Sequence, residues 1–169
     1  IDREIKMNNR PLTMLITTGV LLMSAGQSSL SFAHGDETHP IEQKAFIGVD
    51  SAAGNVVKHF HAALQAGNEV IVRQLLAANV QIYEGGKVER SLTDYANHHM
   101  LADMAYLKGL TITPKEHQIT ITGDIAISTS ISHAQGEYKG KSIDSMTMET
   151  LVLIKQVDGS WKITHVHWS

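Results

Sequence analysis

Cysteine is absent from the 169 residues, which excludes a disulfide framework, a thiol nucleophile and a lipid anchor on a modified cysteine. A strong charge of either sign is also missing. Fourteen basic side chains against 17 acidic ones give a formal net charge of −3, so nothing here draws nucleic acid or an anionic membrane. No apolar run reaches the ~20 residues that a membrane-spanning helix needs. Nor is there a serine elbow, a phosphate-binding loop or a dinucleotide fingerprint, which removes covalent acyl transfer and nucleotide chemistry.

The longest apolar run lies between Leu12 and Ala25. Arg10 precedes it, and Ser31 and Ala33 follow in the −3 and −1 places of a cleavage site, the pattern of a secretory signal peptide. Residues 1–33 are therefore expected to be upstream sequence plus a cleaved signal. The mature chain would start near His34 as a periplasmic or secreted protein, off the membrane once cleaved. Residues 34–49 are polar, contain Pro40 and read as a flexible arm with solvated His34 and His39. Residues 50–169 have the length of one domain with one core.

In that domain Asp50 is the expected N-cap of a helix whose apolar stripe is Ala53, Val56, Val57, Phe60 and Leu64, ended by Gly67. His59 and His61 fall off the stripe and read as surface residues. A shorter helix in 69–77 and a strand before Gly85-Gly86 follow. The next helix runs from Ser91 or Thr93 to Gly109, with Tyr95, His99, Ala102 and Tyr106 on one face and His98 beside Asp94.

The remainder alternates with period two. Ile119, Ile121, Ile125, Ile127 and Ile131 share one face only if the Gly123-Asp124 loop is of odd length. His133 closes that strand and reads as solvated. A second hairpin turns at Asp158-Gly159, placing Trp161, Ile163, His165 and His167 on one face, with Thr150 and Val152 opposite His167 and His165. In that register Glu149, Leu151 and Leu153 face outward with Val166 and Trp168, while Met146 and Met148 read as core or pocket lining. Helices first and antiparallel strands after make an α+β domain with helices on one face of a sheet.

The stretch "VQIYEGGKVERSLTDYANHHMLADMAYL", the segment "GDIAISTS" and the ending "WKITHVHWS" resemble the SnoaL-like branch of the nuclear transport factor two-like superfamily, from about Val56 to Ser169. The resemblance implies a cystatin-like cone: a strongly curved antiparallel sheet wrapped on N-terminal helices, open at one end, often paired as a homodimer. Relatives include ketosteroid isomerases, scytalone dehydratases, limonene epoxide hydrolases and polyketide cyclases, alongside noncatalytic binding domains, so the fold leaves function open. In catalytic relatives an Asp or an Asp/His pair moves protons, while Tyr or acid donors stabilise an enolate or bound water.

On that pattern His165 and His167 look into the cone, His99 and Tyr95 come from the closing helix, and Glu84 and Glu89 come from the hairpin before it. Three functions suit these six residues. One histidine held by a carboxylate acts as general base of an isomerase, hydro-lyase or hydrolase on a small-molecule ligand, with no cofactor. Alternatively His99, His165 and His167 bind zinc or copper. In the third, the groups satisfy one another in a noncatalytic binding or oligomerising domain.

Overall fold

The computed structural model describes residues 45–169, so the signal peptide and residues 34–44 of the arm lie outside the described residues. The end of the arm is structured: Phe46–Ile47 form β1, a short strand parallel to His117–Gln118. Ser51, not Asp50, caps α1 (Ala52–Ala66) by accepting a hydrogen bond from Gly54 N at 3.1 Å, while Asp50 pairs with Lys58. Gly67, at φ 69°, ends α1 in the left-handed conformation that glycine adopts without cost from a Cβ.

Next come α2 (Glu69–Leu75), β2 (Leu76–Glu84) and β3 (Lys87–Glu89), the two strands joined through Gly85-Gly86. Both glycines have positive φ, which a tight hairpin turn demands. The expected long helix is two that abut at His99, α3 (Leu92–His98) and α4 (Met100–Lys108), followed by β4 (Leu110–Thr122), β5 (Ile125–Tyr138), β6 (Lys141–Lys155) and β7 (Trp161–Trp168).

The seven strands form one sheet in the order β1-β4-β5-β6-β7-β2-β3. It is mixed rather than antiparallel throughout, because β2 lies parallel to β7 and β1 parallel to β4. The inner face meets the apolar stripe of α1: Val57, Phe60 and Leu64 are buried against a core that includes Leu151, Leu153, Ile163 and Val166. Each such side chain contributes about 1.5–3 kcal/mol by leaving water, before the entropy of ordering it is counted.

Two register details overturn the expected faces. The Gly123-Asp124 turn has two residues, so Ile119 points into the core while Ile125 and Ile127 stand exposed on the outer face. On β7 the pairing is Leu153 with Ile163, then Val152 with His165, which leaves Thr164 as a bulge. The expected pairs Thr150–His167 and Val152–His165 do form. Yet one inserted residue exchanges the faces beyond it. Trp161 and Ile163 point inward as expected, but past Thr164 it is Val166 and Trp168 that pack on the core, and His165 and His167 turn outward. Leu151 and Leu153 are likewise core residues, and Glu149 shares their inner face. Met146 and Met148 line neither core nor pocket; they are more than half exposed on the outer face.

Candidate functional site

Glu149 lies opposite Trp168 across β6 and β7, on the inner face reached by His61 from α1. His61 Nε2 stands 2.9 Å from both carboxylate oxygens, and Trp168 Nε1 donates to Oε2 at 2.7 Å. The indole in turn stacks on Phe60, with ring centroids 6.4 Å apart and planes 3° from parallel. Phe60 is fully buried on the helix stripe, so the core itself sets the position of the carboxylate.

Burial works to raise the Glu149 carboxyl, but the charge and hydrogen bond of His61 and the indole hydrogen bond hold it below the usual carboxylate range. Burial works to lower His61, and the charge and hydrogen bond of Glu149 outweigh it, so the imidazole titrates above its ordinary value. The Glu149 carboxylate is only 10% exposed, whereas His61 keeps 43% of its side chain accessible. The acid therefore lies in a recess beneath a solvent-reached imidazole. His117 faces the same recess with Nε2 2.9 Å from the buried Ser128 hydroxyl. Burial first, and the charge of His61 second, keep His117 below its ordinary value, hence neutral.

The arrangement is that of a proton-transfer unit. With its Nε2–H aimed at Glu149, the His61 ring has Nδ1 left over, and that atom has no hydrogen-bond partner among the described residues. Nδ1 accepts a proton when the ring is neutral and donates one when it is charged. Neither His61, read as surface, nor Glu149, read as outward, emerged from the sequence. The usable signal was that Glu149 shares parity with Leu151 and Leu153 in an apolar strand, so that wherever the leucines are buried the glutamate is too.

Four of the six expected site residues gather elsewhere. Glu84, Glu89, Tyr95 and His99 line one cleft with Ile82 and Val88, between the β2–β3 hairpin and α3. Glu89 pairs with Nδ1 of His99 and, at 3.3 Å, with Nδ1 of His98. Burial raises Glu84. The Tyr95 phenol is fully buried, and burial raises its titration strongly; its hydroxyl and Oδ2 of Asp103 have no hydrogen-bond partner within ordinary geometry among the described residues. Burial and the charge of Glu84 push Asp103 up to about 6. Asp103 sits one turn beyond His99 on α4, and the sequence reading passed over it.

His165 and His167 are not in the cleft. They stand on the outer face, where the His165 ring lies 5.2 Å from that of Tyr83. The three-histidine metal set of His99, His165 and His167 is therefore not assembled, and no group of three His, Asp or Glu among the described residues could hold a metal ion.

A helical layer packed on the inner face of a mixed sheet is the fold this chain shares with NTF2-like structures. The chain belongs to the SnoaL-like domain family, whose model matches residues 54–169. It is 94% identical to a Shewanella frigidimarina protein provisionally called a ketosteroid isomerase, with 74% of this chain and 100% of that one covered and a TM-score of 0.73. Two more distant structures share the fold. The CaMKII hub of S. rosetta is 21% identical over 70% of this chain and 93% of its own, with a TM-score of 0.59. A Streptomyces avermitilis protein of the NTF2-like family, provisionally called a dehydratase, is 18% identical over the same shares, with a TM-score of 0.60. No curated protein matches.

Proposed function

We propose that this SnoaL-like domain binds a small carbonyl compound in the inner recess and isomerises it by acid–base catalysis through His61. The observation that carries the proposal is the His61–Glu149 pair, with both carboxylate oxygens at 2.9 Å from Nε2 and the opposite ring nitrogen unclaimed. Neutral His61 takes a proton at Nδ1 from the carbon beside the carbonyl, and the electron pair moves onto the carbonyl oxygen as an enolate. Glu149 stabilises the imidazolium so formed, while His117 or the Ser128 hydroxyl donates a hydrogen bond to the enolate oxygen. The imidazolium then returns the proton to the far end of the conjugated system. The provisional name of the Shewanella relative supports this reaction class.

The test follows conversion of a β,γ-unsaturated 3-ketosteroid to its conjugated isomer by ultraviolet absorbance. His61→Ala should lower kcat by about 10²–10⁴-fold, the usual worth of a general base, and Glu149→Gln by a smaller factor. Unchanged turnover in His61→Ala would sink the assignment. A second reading places the acid–base work in the cleft of Glu84, Glu89, Tyr95 and His99, and the value of about 6 for Asp103 favours it. There, Asp103→Asn rather than His61→Ala would abolish turnover.

The leader-like sequence before His34 supports action in the periplasm or outside the cell, and mass spectrometry should find a mature N-terminus at His34. We further infer a homodimer. Val166, Trp168, Leu151 and Leu153, expected on the outer face, pack on the core instead, so the contact falls to the exposed outer strip of Ile125, Ile127 and Ile154. A monomeric mass by light scattering at high concentration would refute it.

A further inference from the structure

The outer face changes character along its length. Toward the Gly123 turn it carries isoleucines, and beyond Thr129 and Thr150 sulfur and imidazole gather around Ile131: Met148 opposite it, then Met146 opposite His133. Met146 and Met148 are 56% and 58% exposed. Single exposed apolar residues need no explanation, but here two thioethers at i and i+2 stand on the same face of β6. His133 is the direct cross-strand partner of Met146.

We propose that Met146, Met148 and His133 form a surface site for a soft monovalent metal ion, Cu(I), that is independent of the inner recess. Direct cross-strand partners bring their Cβ atoms within about 4.5–5.5 Å, and residues two apart on a strand are about 7 Å apart. Three rotatable bonds let each thioether close that gap onto a shared ion. Thioether sulfur is a soft, neutral donor that selects Cu(I) over zinc, and a set of two sulfurs and one imidazole suits a single positive charge.

The surroundings of His133 fit a ligand. Nε2 lies 2.6 Å from Asp144 Oδ1, and Gln135 Nε2 donates to the other carboxylate oxygen at 3.3 Å. This contact places the ring proton on Nε2 and leaves the Nδ1 lone pair for a metal, the carboxylate–histidine–metal order in which the carboxylate orients the ring. His167 sits across β6–β7 from Thr150, one diagonal place from Met148, and is a fourth donor within reach of the face. The outward-turned His-x-His pair of β7 thereby gains a neighbour of matching chemistry.

Ag(I) serves as the redox-inert probe, titrated into the chain from His34 onward while the ε-methyl signals of Met100, Met104, Met146 and Met148 are followed by proton–carbon correlation spectra. One equivalent should shift two signals, identified as those missing from M146L and M148L, and leave those of Met100 and Met104 in place. In Cu(I) competition against a chromophoric chelator, the M146L/M148L double variant should bind at least ~100-fold more weakly, and Asp144→Asn about tenfold more weakly through the orientation of His133. Both methionines are exposed, so leucine in their place leaves the fold intact. Shifts at other methionines, no shifts at one equivalent, or full affinity in the double variant would overturn the site.

Discussion

Two histidine–carboxylate pairs in this domain use the same chemistry in opposite settings. In His61–Glu149 the carboxylate is 10% exposed and clamped by an indole; in His133–Asp144 it is 67% exposed and hydrogen-bonded to His133 and Gln135. Removing either carboxylate deletes one ion pair, but only the inner deletion strips an imidazole and an indole N–H of a shared buried acceptor. Burial, and not the short distance, separates a pair that specifies structure from one that decorates a surface. The outer pair is in fact the shorter contact, 2.6 Å against 2.9 Å.

The most drastic way to break this contrast is to erase the device that sorts the two faces. Inserting one alanine between His165 and Val166 cancels the inversion made at Thr164 and should drive His167 inward and Val166 and Trp168 into water, with loss of the cooperative thermal transition by circular dichroism. A variant that melts like the parent would show that the parity of β7 is dispensable. Next in size, Glu149→Ala should cost about 2–3 kcal/mol in urea unfolding, whereas Asp144→Ala should leave the midpoint where it is. Equal shifts would erase the distinction between the pairs.

Titration sharpens the comparison further. His61 is raised from 6.5, so its stabilisation is complete below that pH and is lost as pH climbs through the raised value. Glu149 is lowered from 4.5, so its share is complete above that pH and is lost as pH falls through the lowered value. Stability from the pair should therefore be greatest between pH 4.5 and 6.5, and a pH series of unfolding midpoints should flatten in Glu149→Gln. Catalysis by His61 should run the other way, rising as pH climbs through its raised value and the neutral base appears. The smallest expected effect is that of Trp168→Phe, which keeps the stack on Phe60 and removes one donor to Glu149, for about 1 kcal/mol by the same unfolding assay.

The α+β order, α1 and the end of β2 at Gly85-Gly86 were legible in local periodicity and turn residues, and the gathering of Glu84, Glu89, Tyr95 and His99 in the family resemblance. The faces of β7 were not. Asp158-Gly159 marks a turn, but nothing local marks Thr164 as a bulge, and its effect is to invert every residue after it. The recess followed a similar fate: His61 falls off the α1 stripe and so reads as surface, and the parity of the β6–β7 hairpin puts its partner Glu149 on the wrong side of the sheet. A helix flank and a strand parity together displace the candidate site.

The stack of Trp168 on Phe60 also makes the recess visible to light. The chain has only two tryptophans, and Trp161 sits at the opposite end of the same strand, away from Glu149. Because the Trp168 indole N–H ends on the carboxylate that holds His61, any change in that carboxylate's charge alters the electric field across the chromophore. Emission from Trp168, isolated in a Trp161→Phe background, is an intrinsic gauge of the protonation and occupancy of the site, readable without label or substrate.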